Sequence, residues 1–157
     1  MSNEVRVKFA AGKAGKQVAA RIQPGTDLIT GIEKICDENG IKGGWVNCIG
    51  SLQKAGYYIL VPNNAKLGAG YGDVNRVEGP VELMNGMGLI TEKDGKSEIH
   101  FHATMCDKKG TVFGGHIVKG ENPALATVEL VIHEILDIKM ARQYDEEADG
   151  NHFSPSK

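Results

Sequence analysis

Three histidines, His100, His102 and His116, lie close together in the segment EIHFHATMCDKKGTVFGGHIV. Successive side chains of a strand point to opposite faces, so His100 and His102 share one face, with their Cα atoms about 6.5–7 Å apart. The same face carries Glu98, Thr104 and Cys106, whereas the other face is apolar. Two imidazoles at this spacing can converge on one metal ion, and three imidazoles with an open position are a common catalytic zinc arrangement.

The third histidine joins this face only in certain registers of the hairpin that follows. A four-residue turn over residues 107–110 places His116 on the apolar face. A three-residue turn with Gly110 as a bulge places it opposite His100, on the polar face. A bulge at Gly114-Gly115 has the same effect. Because glycine is present at both places, these alternatives stay open.

The other histidines and the nearby cysteine are weaker candidates for metal ligands. His133 lies in an apolar run, which is typical of a packing histidine, and His152 lies in a polar segment near the end, which is typical of a solvated one. Cys106 lies on the same strand face as the histidines, but it is four residues past His102. A histidine pair in a strand is also often solvated or hydrogen-bonded without any metal, and that alternative stays open.

Glu82 and Arg21 are the candidates for catalysis and substrate binding. Glu82 either faces solvent on a strand or carries a proton near the metal. Arg21 is either a surface charge on a strand or a clamp for a carboxylate substrate, whose geometry a guanidinium matches. The glycine-rich segments do not follow a strand and open a helix, so they do not predict a nucleotide-binding loop.

Composition narrows the class of protein. The 157 residues fit one domain. The net charge of -2 and the pI near 6.2 disfavour a general nucleic-acid binder, which needs a positive excess. No stretch approaches the roughly 20 apolar residues of a membrane span, and no apolar signal core is present. Three cysteines without CxxC spacing indicate free thiols in a reducing compartment, so the expected location is the cytoplasm.

The elements that position the candidate residues follow from periodicity. Apolar residues at helical spacing predict a helix that begins near Leu28, with Thr26 or Asp27 as its cap, and ends at Asn39-Gly40. Alternation predicts strands over residues 16–23, 45–52, 55–62, 81–91, 97–106 and 111–118. Gly86 and Gly88 interrupt one of these strands, where glycines often mark bulges.

Two segments are ambiguous, and they affect the fold class. Residues 124–136 form either a buried strand or a helix, and residues 63–75 form a long loop or a weak strand. The predicted fold is α+β, a mostly antiparallel sheet packed with one or two helices. The predicted organisation is an N-terminal arm at 1–14, one domain at 15–142 and a flexible acidic C-terminal tail at 143–157.

Several motifs occur in a fixed order over roughly residues 15 to 140. They are Arg21-x-x-Pro24-Gly25-x-Asp27-Leu28, Ile49-Gly50-Ser51-Leu52, Gly79-Pro80-Val81-Glu82-Leu83, His100-x-His102, Asp107-x-x-Gly110-x-Val112-x-Gly114-Gly115-His116 and Ala126-Thr127-Val128-Glu129-Leu130. This pattern resembles the PPC (plants and prokaryotes conserved) domain. The resemblance implies an α+β fold, a homotrimer, and metal-binding histidines at His100, His102 and His116, as in stand-alone prokaryotic members. That fold is similar to acetolactate decarboxylase, a zinc enzyme with an HxH pair and a later histidine.

Plant members of the family carry AT-hook motifs that bind AT-rich DNA. This chain has no Arg-Gly-Arg-Pro hook and no basic tail, so it resembles the prokaryotic branch, and direct DNA binding is not favoured. The expected function is a zinc-binding PPC-domain protein of uncharacterised activity, and one hypothesis for that activity is a zinc-dependent enzyme that acts on a small anionic metabolite. The alternatives are a non-enzymatic trimeric regulator that binds DNA or protein, and a structural metal that only stabilises the hairpin.

Overall fold

The structure, a computed structural model, describes residues 4–157. Over this range it contains one helix, α1 (Leu28–Asn39), and ten strands. The strands are β1 (Lys13–Ile22), β2 (Gly44–Tyr58), β3 (Leu60–Pro62), β4 (Ala69–Tyr71), β5 (Asn75–Lys93), β6 (Lys96–Asp107), β7 (Val112–Ile117), β8 (Ala124–Leu136), β9 (Arg142–Asp145) and β10 (Gly150–Phe153). Among the described residues, no helix is long and apolar enough to cross a membrane.

Six strands form one antiparallel sheet in the order β1-β8-β2-β5-β6-β7. The last strand, β7, pairs with β6 and also, at Tyr57 and Tyr58, with β2. Strands β2, β5, β6 and β7 therefore close into a ring, while β8 and β1 extend the sheet on the other side of β2. The predicted α+β fold with a mostly antiparallel sheet is confirmed, with a single helix in the described chain.

The helix predicted from periodicity is present with the predicted ends. The carboxylate of Asp27, rather than Thr26, caps it by accepting a hydrogen bond from the backbone N–H of Thr30 at 3.0 Å. Gly40 ends it in the left-handed conformation, at φ 68°. The buried face consists of Leu28, Ile29, Gly31, Ile32 and Cys36. This face joins the hydrophobic core, so burial against the sheet stabilises the helix.

Residues 124–136 form strand β8 and not a helix. The strand lies between β1 and β2, so its backbone groups find partners on both sides. Val128, Leu130 and Ile132 are buried at alternate positions, as a strand requires. The alternate positions Leu125 and Val131 are exposed, so only one face of the nearly continuous apolar run joins the core.

Two short hairpins form, one across the end of a predicted strand and the segment predicted as a long loop or weak strand, the other in the predicted tail. Strands β3 and β4 pair with each other, as do β9 and β10. The second hairpin is tied to the N-terminal arm by Arg6 with Glu147 at 2.7 Å and by Lys8 with Asp145 at 3.1 Å. Strands β9 and β10 thus lie in much of the predicted C-terminal tail at 143–157, and its flexibility, like the division into arm, domain and tail, stays a prediction.

Gly86 and Gly88 make room for an aromatic ring, and Gly86 also lies beside a register shift of β5 against both of its neighbours. Both pair with β6 in regular register. A Cβ atom at Gly86 would lie 2.5 Å from Cζ of Phe101, and one at Gly88 would lie 2.6 Å from its Cδ2. Phe101 is fully buried. The two glycines therefore allow close packing at the base of the strand that carries His100 and His102.

The packing predicts that Gly86→Ala destabilises the protein by about 1–3 kcal/mol, because the added methyl group overpacks the core. Urea unfolding measures the change. Phe101→Leu in the same chain removes the ring atoms that the methyl group meets, so the double variant should lose less than the sum of the two single changes. A Gly86→Ala protein as stable as the wild type would contradict this packing.

Candidate metal centre

Strands β6 and β7 bring the three histidines together in a register that differs from both predicted ones. His102 pairs with His116, and residues 107–111 form the turn. The predicted pairing of His116 with His100 is wrong, and the pairing is regular through Gly114-Gly115, without a bulge. Because this register also keeps the alternation, all three histidines share one face, as they do in two of the three alternatives left open by the sequence.

Asp107 determines the length of the turn. Its carboxylate accepts hydrogen bonds from the backbone N–H groups of Lys109 at 2.8 Å and Thr111 at 2.9 Å. Its own N–H donates to the carbonyl oxygen of Thr111 at 3.0 Å. Gly110 supplies the left-handed conformation, at φ 83°. Thr111 is thereby held in the turn, and regular pairing of β7 begins one residue later, at Val112.

Gly114 and Gly115 allow β7 to lie between two neighbours. A Cβ atom at Gly114 would overlap the carbonyl oxygen of Ala103 on β6, and one at Gly115 would overlap the carbonyl oxygen of Tyr58 on β2. Any larger residue at either position would therefore push β7 away from one of its partners. The glycine pair fixes the next residue, His116, beside both strands.

The three imidazoles converge on one point. Each offers a ring nitrogen, and these nitrogens all lie within 4.8 Å of one another. The ring centroids are 5.0 Å apart for His100 and His102, 5.0 Å for His100 and His116, and 5.4 Å for His102 and His116. Ligands of a tetrahedral zinc ion with bonds of about 2.0–2.1 Å lie about 3.4 Å apart. Small side-chain rotations therefore suffice to bring the three nitrogens to one ion.

His116 carries a buried polar atom with no partner. Within residues 4–157, its Nδ1 atom makes no hydrogen bond. The ring of Tyr71 lies 4.9 Å from the His116 ring, and that of Tyr58 lies 6.3 Å away. These two tyrosines stack on each other at 5.5 Å and help to shield His116 from solvent. An unpaired buried ring nitrogen costs free energy unless another partner, such as a cation, is supplied.

Burial keeps His100 and His116 in the form that binds metals. Desolvation, followed by the charges of His100, His102 and Arg142 as smaller causes, lowers the pKa of His116 to about 4. Desolvation, with Arg142 as the next cause, also lowers the pKa of His100. Both imidazoles are therefore neutral near pH 7, and a neutral imidazole is the form that coordinates a metal.

A cavity of about 760 Å³ opens beside the triad. His100 and His116 lie in its wall, together with Glu98 of β6 and Tyr71 of β4. The β9–β10 hairpin contributes Arg142 and His152. His102 instead lines a shallower depression of about 490 Å³ with Met87 of β5. The triad thus separates two surfaces, and the larger one has the size of a small-molecule site.

The predicted residues Glu82 and Arg21 lie on other parts of the sheet. Glu82 is exposed on β5, paired with Ser51 on one side and Cys106 on the other. Arg21, on β1, donates hydrogen bonds to Oγ1 of Thr127 at 3.0 Å and to the carbonyl oxygen of Ala126 at 3.2 Å. Over residues 4–157, neither side chain lines a cavity that the three histidines line. Their catalytic and substrate-binding roles stay predictions.

Sequence reasoning missed three side chains of the cavity. Arg142 and His152 lie on the β9–β10 hairpin, which is distant from the triad in sequence. Tyr71 lies on β4. Glu98 could have been found from the sequence, because it lies on the same strand face as His100, two residues away. His133 behaves as predicted for a packing residue, since its ring stacks on Trp45 at 4.5 Å.

A family profile matches this chain over most of its length. The Plants and Prokaryotes Conserved (PCC) domain, abbreviated PPC above, matches residues 9–136. No curated protein sequence matches the chain.

Solved structures share the fold. A plant- and prokaryote-conserved protein from Pyrococcus horikoshii is 25% identical with a TM-score of 0.78, and the match covers 92% of this chain and 96% of that one. A metal-containing protein from Archaeoglobus fulgidus is 23% identical with a TM-score of 0.79, covering 95% and 99%. A protein from Bacteroides thetaiotaomicron, provisionally named as DNA-binding, is 20% identical with a TM-score of 0.75, covering 91% and 96%.

One further structural match is more distant. A Staphylococcus aureus protein of unknown function, described as similar to alpha-acetolactate decarboxylase, is 13% identical with a TM-score of 0.48, and the match covers 80% of this chain and 53% of that one.

The lowered pKa of His116 predicts a pH dependence of the stability of the metal-free protein. Between the ordinary value of 6.5 and the folded value of about 4, the unfolded chain binds a proton at His116 that the folded chain does not. This contribution to stability is therefore fully present above pH 6.5 and is lost as the pH falls towards 4. Urea unfolding of chelator-treated protein between pH 7.5 and pH 4 measures the effect.

His116→Gln is the matched comparison, because glutamine keeps a polar side chain but does not titrate. Carboxylates with lowered pKa values, such as Asp37 and Asp107, add their own acid sensitivity to both proteins. The variant should therefore lose less stability than the wild type over this pH range. Equal losses in the two proteins would contradict the assigned burial of His116.

Proposed function

Because this chain belongs to the Plants and Prokaryotes Conserved domain family, we propose that it is a metal-binding member of that family. His100, His102 and His116 hold one divalent cation, and zinc is the first candidate. The observation that carries the proposal is the buried Nδ1 atom of His116, which has no partner among residues 4–157 and lies in a cluster of three convergent imidazoles. The metal-containing protein from Archaeoglobus fulgidus, which has the same fold, supports it.

The chemistry of the donor set favours zinc over hard cations. Imidazole nitrogens suit zinc, copper, iron and nickel, whereas magnesium and calcium prefer oxygen ligands. Three histidines without a fourth protein ligand match the catalytic class of zinc sites. A zinc ion bound there would act as a Lewis acid and lower the pKa of a bound water to about 7.

We further propose that the protein is a metal-dependent enzyme acting on a small anionic metabolite. The cavity beside the triad supplies the space for such a ligand, and the rings of Tyr71 and Tyr58 lie beside His116. Glu98 lies in the cavity wall next to His100 and is positioned to accept or return a proton. The earlier prediction gives this role to Glu82, which remains a second candidate.

A homotrimer in the cytoplasm completes the proposal. An apolar patch on the outer face of β8, β2 and β5 supports self-association, because Val131 and Met87 both lie opposite Asn47, beside the exposed Ile49. The three free cysteines support a reducing compartment.

Light scattering coupled to gel filtration should give about three times the chain mass of 16.9 kDa, and Met87→Asp should reduce this mass. A wild-type protein with the mass of one chain would contradict the trimer.

The second candidate function is a non-enzymatic trimeric regulator that binds DNA or protein. The name of the Bacteroides thetaiotaomicron neighbour favours it. The net charge of -2 does not, because phosphate contacts need a local excess of lysine and arginine. A protein without metal would favour this candidate, so the metal content separates the two functions.

Elemental analysis of protein purified without chelator or histidine tag should find about one zinc ion per chain. His102→Ala should lose it, because two imidazoles alone hold the ion weakly. His133→Ala is the matched control and should keep the metal, since His133 packs on Trp45 away from the triad. A wild-type protein that stays metal-free after zinc is added back would overturn the metal-binding function.

A further inference from the structure

We propose that the cavity beside the histidine triad is an anion site in which Arg142 holds the carboxylate or phosphate group of the ligand. The inference rests on the proposed function and deepens it, because it names the side chain that selects an anionic ligand. Arg142 was not among the residues that the sequence pointed to, and it reaches the cavity only through the β9–β10 hairpin.

Arg142 is fixed in place but not neutralised. Its Nη2 atom donates a hydrogen bond to the carbonyl oxygen of Asn151 at 2.6 Å, across the hairpin. Within residues 4–157, no carboxylate forms an ion pair with it, whereas Arg6 and Arg76 pair with Glu147 and Glu121. A guanidinium carries five N–H donors in a rigid fork, so most of its hydrogen-bonding capacity is left for a ligand in the cavity.

The charged side chains in the cavity wall balance one another, so the net charge of the cavity depends on what the histidine triad holds. Lys66 and Arg142 are cationic, while Glu98 and Asp149 are anionic. Asp149 is already engaged, since it accepts a hydrogen bond from the hydroxyl of Tyr144 at 2.6 Å. A divalent cation on the histidines would therefore make the cavity positive. An anion that enters it would meet Arg142 on the hairpin side and the cation on the sheet side.

The volume of the cavity and the side chains that line it indicate the size and class of the ligand. A volume of about 760 Å³ suits a small metabolite and not a polymer. Leu60, Leu67 and Tyr71 add apolar surface beside the charged groups. Planar or tetrahedral oxyanions match the arginine fork, because two of its N–H groups can bind two oxygens of one group.

The role assigned here is the one that the sequence analysis gives to Arg21. The Arg21 side chain uses its Nε and Nη2 atoms on Thr127 and Ala126 of the adjacent strand β8. It lies on β1, at the opposite end of the strand order from β7. The two arginines therefore make competing predictions that one experiment separates.

The experiment is a titration of the full-length, zinc-loaded protein with inorganic phosphate and, separately, with acetate, followed by isothermal calorimetry and by amide NMR shifts. Arg142→Gln removes the charge but keeps an N–H donor for the carbonyl oxygen of Asn151. The affinity for at least one anion should fall about tenfold or more, since hydrogen bonds to charged groups contribute about 1.5–3 kcal/mol and 1.4 kcal/mol is a factor of ten. Arg76→Gln is the matched control and should bind as the wild type does.

The two probes identify the ligand class. If Arg142→Gln weakens the binding of phosphate but not that of acetate, the ligand carries a phosphate group. The reverse result assigns a carboxylate. Unchanged amide shifts of Gly150 and Asn151 in anion-free Arg142→Gln show that the hairpin is intact, so that a lost affinity reports the charge. Equal affinities in the wild type and Arg142→Gln, or a loss confined to Arg21→Gln, would overturn the inference.

Metal content measured on the same samples separates this inference from the proposed function. A wild-type protein that holds zinc but binds neither anion overturns the anion site and leaves the metal site intact. A protein that holds no zinc overturns the proposed function. The titrations on that metal-free protein still decide the role of Arg142, because they again compare the wild type with Arg142→Gln.

Discussion

Strand β7 lies between β6 and β2 at a separation that only glycine permits, and the histidine cluster depends on this close approach. At Gly114 the carbonyl oxygen of Ala103 occupies the place of a side chain, and at Gly115 the carbonyl oxygen of Tyr58 does so. The strand can therefore pair on both edges and close the ring of β2, β5, β6 and β7. The next residue, His116, is consequently held opposite His102, with Tyr58 as its other cross-strand neighbour. A more open sheet would leave the same three histidines on separate, solvated surfaces.

How much of this site the sequence predicts depends on which interactions are local. Alternation within one strand is local, so it correctly places His100 and His102 on a common face. The register of the hairpin is not a local property of one strand, because it depends on the turn. Asp107 binds Thr111 through both its side chain and its backbone, and so lengthens the turn beyond the three or four residues that glycine spacing suggests. The face was predictable because registers that differ by two residues preserve it, whereas the identity of the partner was not.

The fold shows the same division. The helix was predictable because its cap, its apolar stripe and its terminal glycine all lie within one short segment. The state of residues 124–136 was not, because only the position of β8 between two other strands decides it. The pairing of the two small hairpins was missed because their strands are only three or four residues long. Ion pairs of Arg6 and Lys8 with residues almost at the other end of the chain help to order the second hairpin, and no local pattern reports such pairs. Gly86 and Gly88 were correctly seen as special, but they serve Phe101 across the strand pair, which sequence spacing does not reveal.

The arrangement around the triad also bears on whether a bound metal would be structural or catalytic. A structural zinc site is closed by a fourth protein ligand. Within residues 4–157, the group of side chains able to share one ion contains only the three histidines, and Cys106 is outside it although it shares their strand face. The remaining coordination position is therefore open to water or a ligand. His100 and His116 border the cavity that also holds Glu98 and Arg142, so a ligand in that cavity can reach the ion, an acid–base group and an unpaired cation together. This combination supports the proposed chemistry on an anion over a purely structural metal, because the hairpin already has regular pairing and a well-bonded turn.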